Sequence, residues 1–143
     1  MSAVRSSVLL CDAGPLVALI DRDDPSHAVC LEAARRLPAQ PLLTTWPCFT
    51  EAMYLVGRVG GFPLQEKLWG LRRDGRIALH NLDGPGADRM ASLMKQYRDA
   101  PMDLADASLV AAAEALGASR VFTLDSHFRA YRIKGTEAFE VIP

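Results

Sequence analysis

Little in this sequence points to a specialised environment. No run approaches the roughly 18 apolar residues of a membrane span. The apolar stretch near the start, VLLCDAGPLVALID, is broken by Asp12 and by Gly14-Pro15 and stops at Asp21. The same interruptions argue against a secretory leader, so the expectation is a cytoplasmic protein with no membrane contact. Cysteine is scarce. Cys11, Cys30 and Cys48 are odd in number and widely spaced, with no CxxC pair. That argues against a zinc site and a disulfide scaffold and leaves small buried thiols as the expected role. An excess of one charge is lacking too. A formal net charge of −1 excludes a strongly basic nucleic-acid module, though not a local basic patch. Repeats, linkers and low-complexity tracts are absent. What remains is a chain of 143 residues, half of them hydrophobic and 23% charged. This is the composition of one soluble globular domain with a core of its own.

Short apolar runs alternate with helical patterns. Val8-Leu9-Leu10-Cys11 reads as a buried strand ending in a turn at Asp12-Ala13-Gly14-Pro15, with a short helix at 16–20. Asp24-Pro25 reads as a helix start, Asp as the cap and Pro in the first turn, with the helix closed by Pro38. Leu42-Leu43-Thr44 is a second strand; a helix from Thr45-Trp46-Pro47 to about Gly57 and another over 63–73 follow. Ile77-Ala78-Leu79-His80 is a third strand. A helix from Gly84-Pro85 to near Tyr97 and a long helix over 104–116, ended by Gly117, come next. Val121-Phe122-Thr123-Leu124 is a fourth strand, and Phe139-Glu140-Val141-Ile142 a fifth, at an edge. The alternation predicts an α/β fold, a three-layer α/β/α sandwich with a central, mostly parallel sheet. Ligands bind outside the carboxyl ends of the strands in such sheets.

That rule singles out acids. Asp12 ends the first strand and Asp125 the fourth, so both are expected at one rim. Glu51 reaches it from the first turns of the helix after strand two, and Asp106 from the first turn of the long helix. Gathered carboxylates repel and raise one another's pKa. A hard divalent cation removes that penalty, because Mg²⁺ and Mn²⁺ prefer oxygen ligands. It also polarises phosphoryl oxygens and activates water. Four convergent acids without Cys or His ligands therefore point to metal-assisted phosphodiester hydrolysis. Singly, each acid has a plainer use: Asp12 as a turn or cap, Glu51 as a solvated helix residue, Asp125 as a turn acid. Asp103 is read as a helix N-cap, whereas Asp106, past the cap, projects toward the rim.

On these residues the sequence resembles the PIN-domain family, and within it the VapC-like toxins of toxin–antitoxin pairs. The resemblance lies in LLCDAGPLVALIDRDDPSH, TTWPCFTEAMYLV and DLADASLVAAAEALGASRVFTLDSHFRAYR, and spans nearly the whole chain. It implies a metal-dependent ribonuclease whose acids map on Asp12, Glu51, Asp106 and Asp125. Asp12, Asp106 and Asp125 would hold Mg²⁺ or Mn²⁺, and Glu51 would orient or deprotonate the attacking water. Thr123 matches a Thr before the last acid and is expected to orient a carboxylate or water. The resemblance further implies single-stranded or loop RNA as substrate, a homodimer, and a cognate antitoxin whose tail covers the site, with an Arg or Lys set among the carboxylates.

Other features remain open between two uses. Arg58, Lys67, Arg72, Arg73 and Arg76, with Arg129, Arg132 and Lys134, offer phosphate contacts or simply solvated faces. Trp46 and Trp69 offer rings for base stacking, though core or interface is the commoner use at helical positions. His127 reads as a loop histidine without a catalytic role. Met53, Tyr54, Val56, Leu64, Leu68, Trp69 and Leu71 form an apolar helical pair, either an association patch or core. The alternatives are a housekeeping or DNA-directed nuclease, and a phosphatase using Asp12 as nucleophile. The latter is weakened by Gly14, where a haloacid-dehalogenase pattern has a second Asp.

Overall fold

The computed structural model describes residues 7–143. In chain order the elements are β1 (Leu9–Cys11), α1 (Ala13–Ile20), α2 (His27–Arg36), β2 (Leu42–Thr45), α3 (Trp46–Gly60), α4 (Phe62–Arg73), β3 (Ile77–His80), α5 (Gly84–Gln96) and α6 (Leu104–Leu116). Then come β4 (Arg120–Phe122), a 3₁₀ turn (Ser126–Arg129), a small hairpin of β5 (Arg132–Ile133) and β6 (Glu137–Ala138), and β7 (Glu140–Ile142).

Five strands make one all-parallel sheet in the order β3-β2-β1-β4-β7. The alternation of side chains along β1 and β4 divides the core in two. Leu10 and Val121 face a layer built from α5, α6 and the segment after β4. Leu9, Cys11 and Phe122 face the layer of α1 to α4. This is the α/β/α sandwich that the alternating pattern predicts. The chain runs outward from β1 in both directions, to β2 on one side and to β4 on the other, so the sheet's switch point lies at β1 and β4. The carboxyl ends of those two strands carry Asp12 and, three residues past Phe122, Asp125.

The long helix α6 is built for close approach. Ala105, Ala107, Ser108, Ala111, Ala112 and Ala113 are all buried, and small side chains let its axis lie against the sheet and α5. Leu109 and Val110 are wholly buried, each contributing roughly 1.5–3 kcal/mol by removal from water. Gly117 ends the helix in the left-handed conformation, φ 66° and ψ 26°, the role its position implies.

Several boundaries differ from the sequence reading. Helix α2 starts at His27 rather than at Asp24-Pro25. Asp24 Oδ1 instead accepts the Ser26 N–H at 2.8 Å, and its carbonyl accepts the His27 N–H at 2.9 Å, making a turn ahead of the helix. Helix α1 starts earlier, at Ala13, because Asp12 itself caps it. Gly14-Pro15 thus lies in the first helical turn, where a missing N–H costs nothing. Helix α3 continues past Gly57 to Gly60. Strand β4 stops at Phe122, and the β5–β6 hairpin, turned through Lys134 and Gly135 at positive φ, was not legible in the sequence. All three cysteines are free and buried. Among the described residues no helix is long and apolar enough to cross a membrane.

Candidate metal centre and active site

Asp12, Asp106 and Asp125 each direct a carboxylate oxygen to one place, all within 4.8 Å of one another. Asp12 arrives from the end of β1. Its Oδ1 accepts the Ala13 N–H at 2.8 Å and so caps α1, while Oδ2 accepts the Thr123 hydroxyl at 2.8 Å. Asp106 arrives from the first turn of α6 within a capping box. The Asp106 N–H donates to Asp103 Oδ1 at 2.8 Å, and the Asp103 N–H reaches back to Asp106 Oδ2 at 3.5 Å. Asp125 caps the 3₁₀ turn, its Oδ1 accepting the His127 N–H at 2.9 Å with the His127 ring Nδ1 2.8 Å away. Capping and clustering are thus compatible uses of one side chain, since a carboxylate has about four lone-pair sites to share.

Asp12 and Asp106 are buried, at 8% and 6% exposure. Among the described residues neither forms an ion pair with Lys or Arg, nor does Asp125. Burial raises the Asp12 pKa, and the charges of Asp125 and Asp103 add to it against the bonds from Thr123 and Ala13. Asp106 rises further, from 3.8 to about 7, through burial and then the charge of Asp103, opposed by the Tyr131 hydroxyl. Glu51 is exposed on α3 and lies outside the close set of three. Its pKa too is raised, by burial and then by the charges of Asp12, Asp103 and Asp125. Three hard oxygen donors, two of them buried and none paired with Lys or Arg among the described residues, fit a divalent cation that relieves their repulsion.

The surroundings hold these groups still. Thr123 Oγ1 donates to Asp12 and accepts the Asp125 N–H at 3.0 Å, joining the ends of β1 and β4. Cys48 lies below with its Sγ 3.7 Å from Asp12 Oδ1 and 3.6 Å from the Ala105 carbonyl. Thr45 and Ser108 share a 2.6 Å hydrogen bond, and the Thr44 hydroxyl donates to the Cys11 carbonyl at 2.7 Å. Among the described residues no buried side-chain polar atom lacks a partner. The sequence reading missed Tyr131, Cys48 and the bond between His127 and Asp125. Tyr131 is wholly buried and donates to Asp106 Oδ2 at 3.0 Å. Nothing in the spacing of HFRAYR distinguishes it from an ordinary aromatic.

Three of the basic residues stand away from the acids. Lys67, Arg73 and Arg76 line a groove with Leu42 and Ile77, the first residues of β2 and β3. In a parallel sheet this is the end opposite Asp12, so these three do not surround the acidic centre as phosphate contacts there would require. Arg129 follows Asp125 in the 3₁₀ turn and is exposed, whereas Arg132 donates to the Arg129 and Tyr131 carbonyls. The apolar set on α3 and α4 also divides. Val56 and Leu68 are wholly buried, while Tyr54 and Trp69 are 63% and 44% exposed.

Known proteins give the same architecture. Ribonuclease VapC26 of Mycobacterium tuberculosis is 27% identical over 139 residues, covering 94% of this chain and 100% of the relative. The crystal structure of M. tuberculosis VapC20, a Sarcin-Ricin loop cleaving toxin, superposes with a TM-score of 0.80 at 14% identity, covering 94% of this chain and 99% of that one. VapBC2 of Rickettsia felis, solved on a promoter DNA fragment, gives a TM-score of 0.64 at 15% identity and covers 95% and 99%. At these identities the two structures speak to the fold alone. The PIN domain model matches residues 9–134, which include all four acids singled out by the sequence, and the chain belongs to that family.

Proposed function

We propose that this protein is a metal-dependent endoribonuclease and the toxin of a toxin–antitoxin pair. The observation that carries the reading is the meeting of Asp12, Asp106 and Asp125 within 4.8 Å at the sheet's switch point, with no Lys or Arg paired to them among the described residues. The relatedness to a ribonuclease over nearly the full chain supports the choice of reaction. Asp12, Asp106 and Asp125 would hold Mg²⁺ or Mn²⁺. When bound, the ion supplies Lewis acidity toward a phosphoryl oxygen and neutralises charge there.

The chain's own residues do the rest. Thr123 fixes the Asp12 carboxylate and Tyr131 that of Asp106, so neither rotates as substrate enters. Glu51, with a raised pKa and no hydrogen bond among the described residues, takes a proton from the water attacking phosphorus in line. Water is then the nucleophile, the bond from phosphorus to the departing ribose oxygen breaks, that oxygen takes a proton from solvent, and the RNA 2′-hydroxyl takes no part. The substrate is single-stranded or loop RNA in a structured cellular RNA such as tRNA or rRNA. The protein acts in the cytoplasm as a homodimer and is silenced by an antitoxin that covers the acids. An Asp12-nucleophile phosphatase is less well supported, since both oxygens of Asp12 are engaged and two further carboxylates crowd it.

Cleavage of a loop-containing RNA with Mg²⁺ or Mn²⁺, by wild type and Asp106→Asn, tests the reading. Asn keeps a carbonyl to accept from Tyr131 but removes the charge. Loss of about two orders of magnitude in rate is expected. Equal cleavage by both proteins would remove Asp106 from the site.

A further inference from the structure

Beside the acidic centre lies a cleft of about 560 Å³ lined by Trp46, Pro47, Thr50, Glu51, Asp103 and Leu104. It is wide open to solvent, so a base can reach the ring from the side. Its walls are apolar where water reaches them: Trp46 is 44% and Leu104 51% exposed. The Trp46 ring is held in place. Its Nε1–H donates to Asn81 Oδ1 at 2.8 Å, and Phe49 meets it edge-on with ring centres 5.9 Å apart. The Trp46 carbonyl accepts the Thr50 hydroxyl at 2.7 Å. An exposed aromatic fixed in advance loses little freedom on binding and offers a face for a base to stack on.

The polar groups of the cleft are acceptors. Glu51 has no hydrogen bond or ion pair among the described residues. Asp103 spends one oxygen on the Asp106 N–H, and its other oxygen accepts nothing among the described residues. The Thr50 proton is committed to Trp46, leaving lone pairs. Such a lining selects a base by its N–H donors. Guanine carries two adjacent donors, N1–H and N2–H, on its Watson–Crick edge. Uracil carries a single N–H between two carbonyls, which carboxylates repel. The cleft adjoins the centre through two of its lining residues: the Asp103 backbone N–H reaches Asp106 Oδ2 at 3.5 Å, and the charges of Asp12 and Asp125 act on Glu51.

We propose that this cleft binds an unstacked guanine of the RNA substrate beside the scissile phosphate, stacked on Trp46 and read by Asp103. The proposal deepens the ribonuclease reading and rests on it for the identity of the ligand, while its test does not depend on turnover.

The chain has two tryptophans, so in a Trp69→Phe protein the fluorescence reports Trp46 alone. Short oligouridylates carrying one guanine, or uracil alone, are titrated in EDTA at mildly alkaline pH. Saturable quenching is expected with the guanine RNA, at a Kd about tenfold or more below that of the uracil RNA. Asp103→Asn keeps the carbonyl that caps α6 but presents an amide donor in place of the second oxygen. Its metal-free thermal melt should be no lower than that of wild type, since a charge beside Asp106 is removed, and the guanine preference should shrink about tenfold or turn toward uracil. Equal quenching by both RNAs, or an unchanged ratio in Asp103→Asn, overturns the proposal. Absence of any quenching also overturns it; with RNA cleavage intact, it leaves the ribonuclease reading standing and gives the Trp46 face to a protein partner. Guanine-selective quenching without cleavage under any metal would sink the ribonuclease reading and leave the base site in place.

Discussion

Tyr131 donates its hydroxyl to Asp106 Oδ2 across 3.0 Å, from 25 residues further along the chain. The phenol is held by Tyr97 and Phe128, each edge-on with ring centres 5.1 Å away. It is the neutral donor that steadies a buried acid whose pKa already stands at about 7. Tyr131→Phe keeps the packing and removes the donor, so the Asp106 pKa rises further. The acidic limb of the pH–rate profile, taken below metal saturation, should move up by about one unit. An unmoved limb would mean that Asp106 does not govern activity.

Thr123 connects the other two acids, donating to Asp12 Oδ2 and accepting the Asp125 N–H. Thr123→Val leaves a buried Asp12 oxygen and the Asp125 N–H without that partner. Metal affinity or RNA cleavage should fall roughly 10–100-fold, with a stability loss of about 1–3 kcal/mol. Thr123→Ser should restore most of both. Kinetics at several metal concentrations, alongside thermal melts, separate the two effects.

The pH dependence of stability without metal follows from the direction of the shifts. Asp106 binds its proton more tightly folded than unfolded, so its effect on stability worsens as pH rises from 3.8 to about 7. Glu114 acts oppositely. Burial pushes its pKa up, but the bonds from Arg89 at 2.6 and 3.1 Å and from the Lys134 N–H outweigh this, and the net shift is downward. Its stabilisation is present above the ordinary 4.5 and is lost as pH falls through the lower folded value. Metal-free protein should therefore melt highest on the acid side of neutrality. Mg²⁺ or Mn²⁺ at a hundred times its Kd should add about 2.7 kcal/mol, and most at and above neutral pH. In Asp125→Asn the metal-free melt should rise, as repulsion is relieved, and the response to metal should vanish. Thermal melts across pH, with and without metal, check each part.

Where α3 turns into α4, a side chain at Gly60 would run into both Cγ and Cδ1 of Leu64, whereas one at Gly57 would meet chiefly the amide end of Gln65. Gly60→Ala should cost about 1–3 kcal/mol and Gly57→Ala distinctly less, because a side-chain amide swings aside easily. Urea denaturation of the two variants gives the comparison, and RNA cleavage below the melting range should be unchanged in both.

The elements of the sandwich were legible because local signals agreed. Apolar runs ending in Asp12 and near Asp125, the small-residue face of 104–116 and Gly117 each carry their structural meaning in a few residues. The reading slipped where two local signals competed. Asp24-Pro25 has the chemistry of a helix start, but the Asp24 carboxylate turns to Ser26 instead. Of the site, the sequence singled out four acids expected at one rim, and the structure brings three of them together. That Asp12, Asp106 and Asp125 form the close set while Glu51 stands apart is a matter of distances no spacing encodes.

By itself, then, the sequence determined which faces are apolar, where strands end and which residues carry negative charge there, since these follow from periodicity and short-range chemistry. Tertiary structure alone decided who meets whom. Thr123 and Asp12 are 111 positions apart and touch because β4 pairs beside β1. Lys67, Arg73 and Arg76 stand at the opposite end from the acids because the strands all run one way. Tyr131 reaches Asp106 because the chain after β4 folds back over α6. Strand order is a long-range choice set by the packing of whole layers, and the contacts that make this centre exist only once that choice is made.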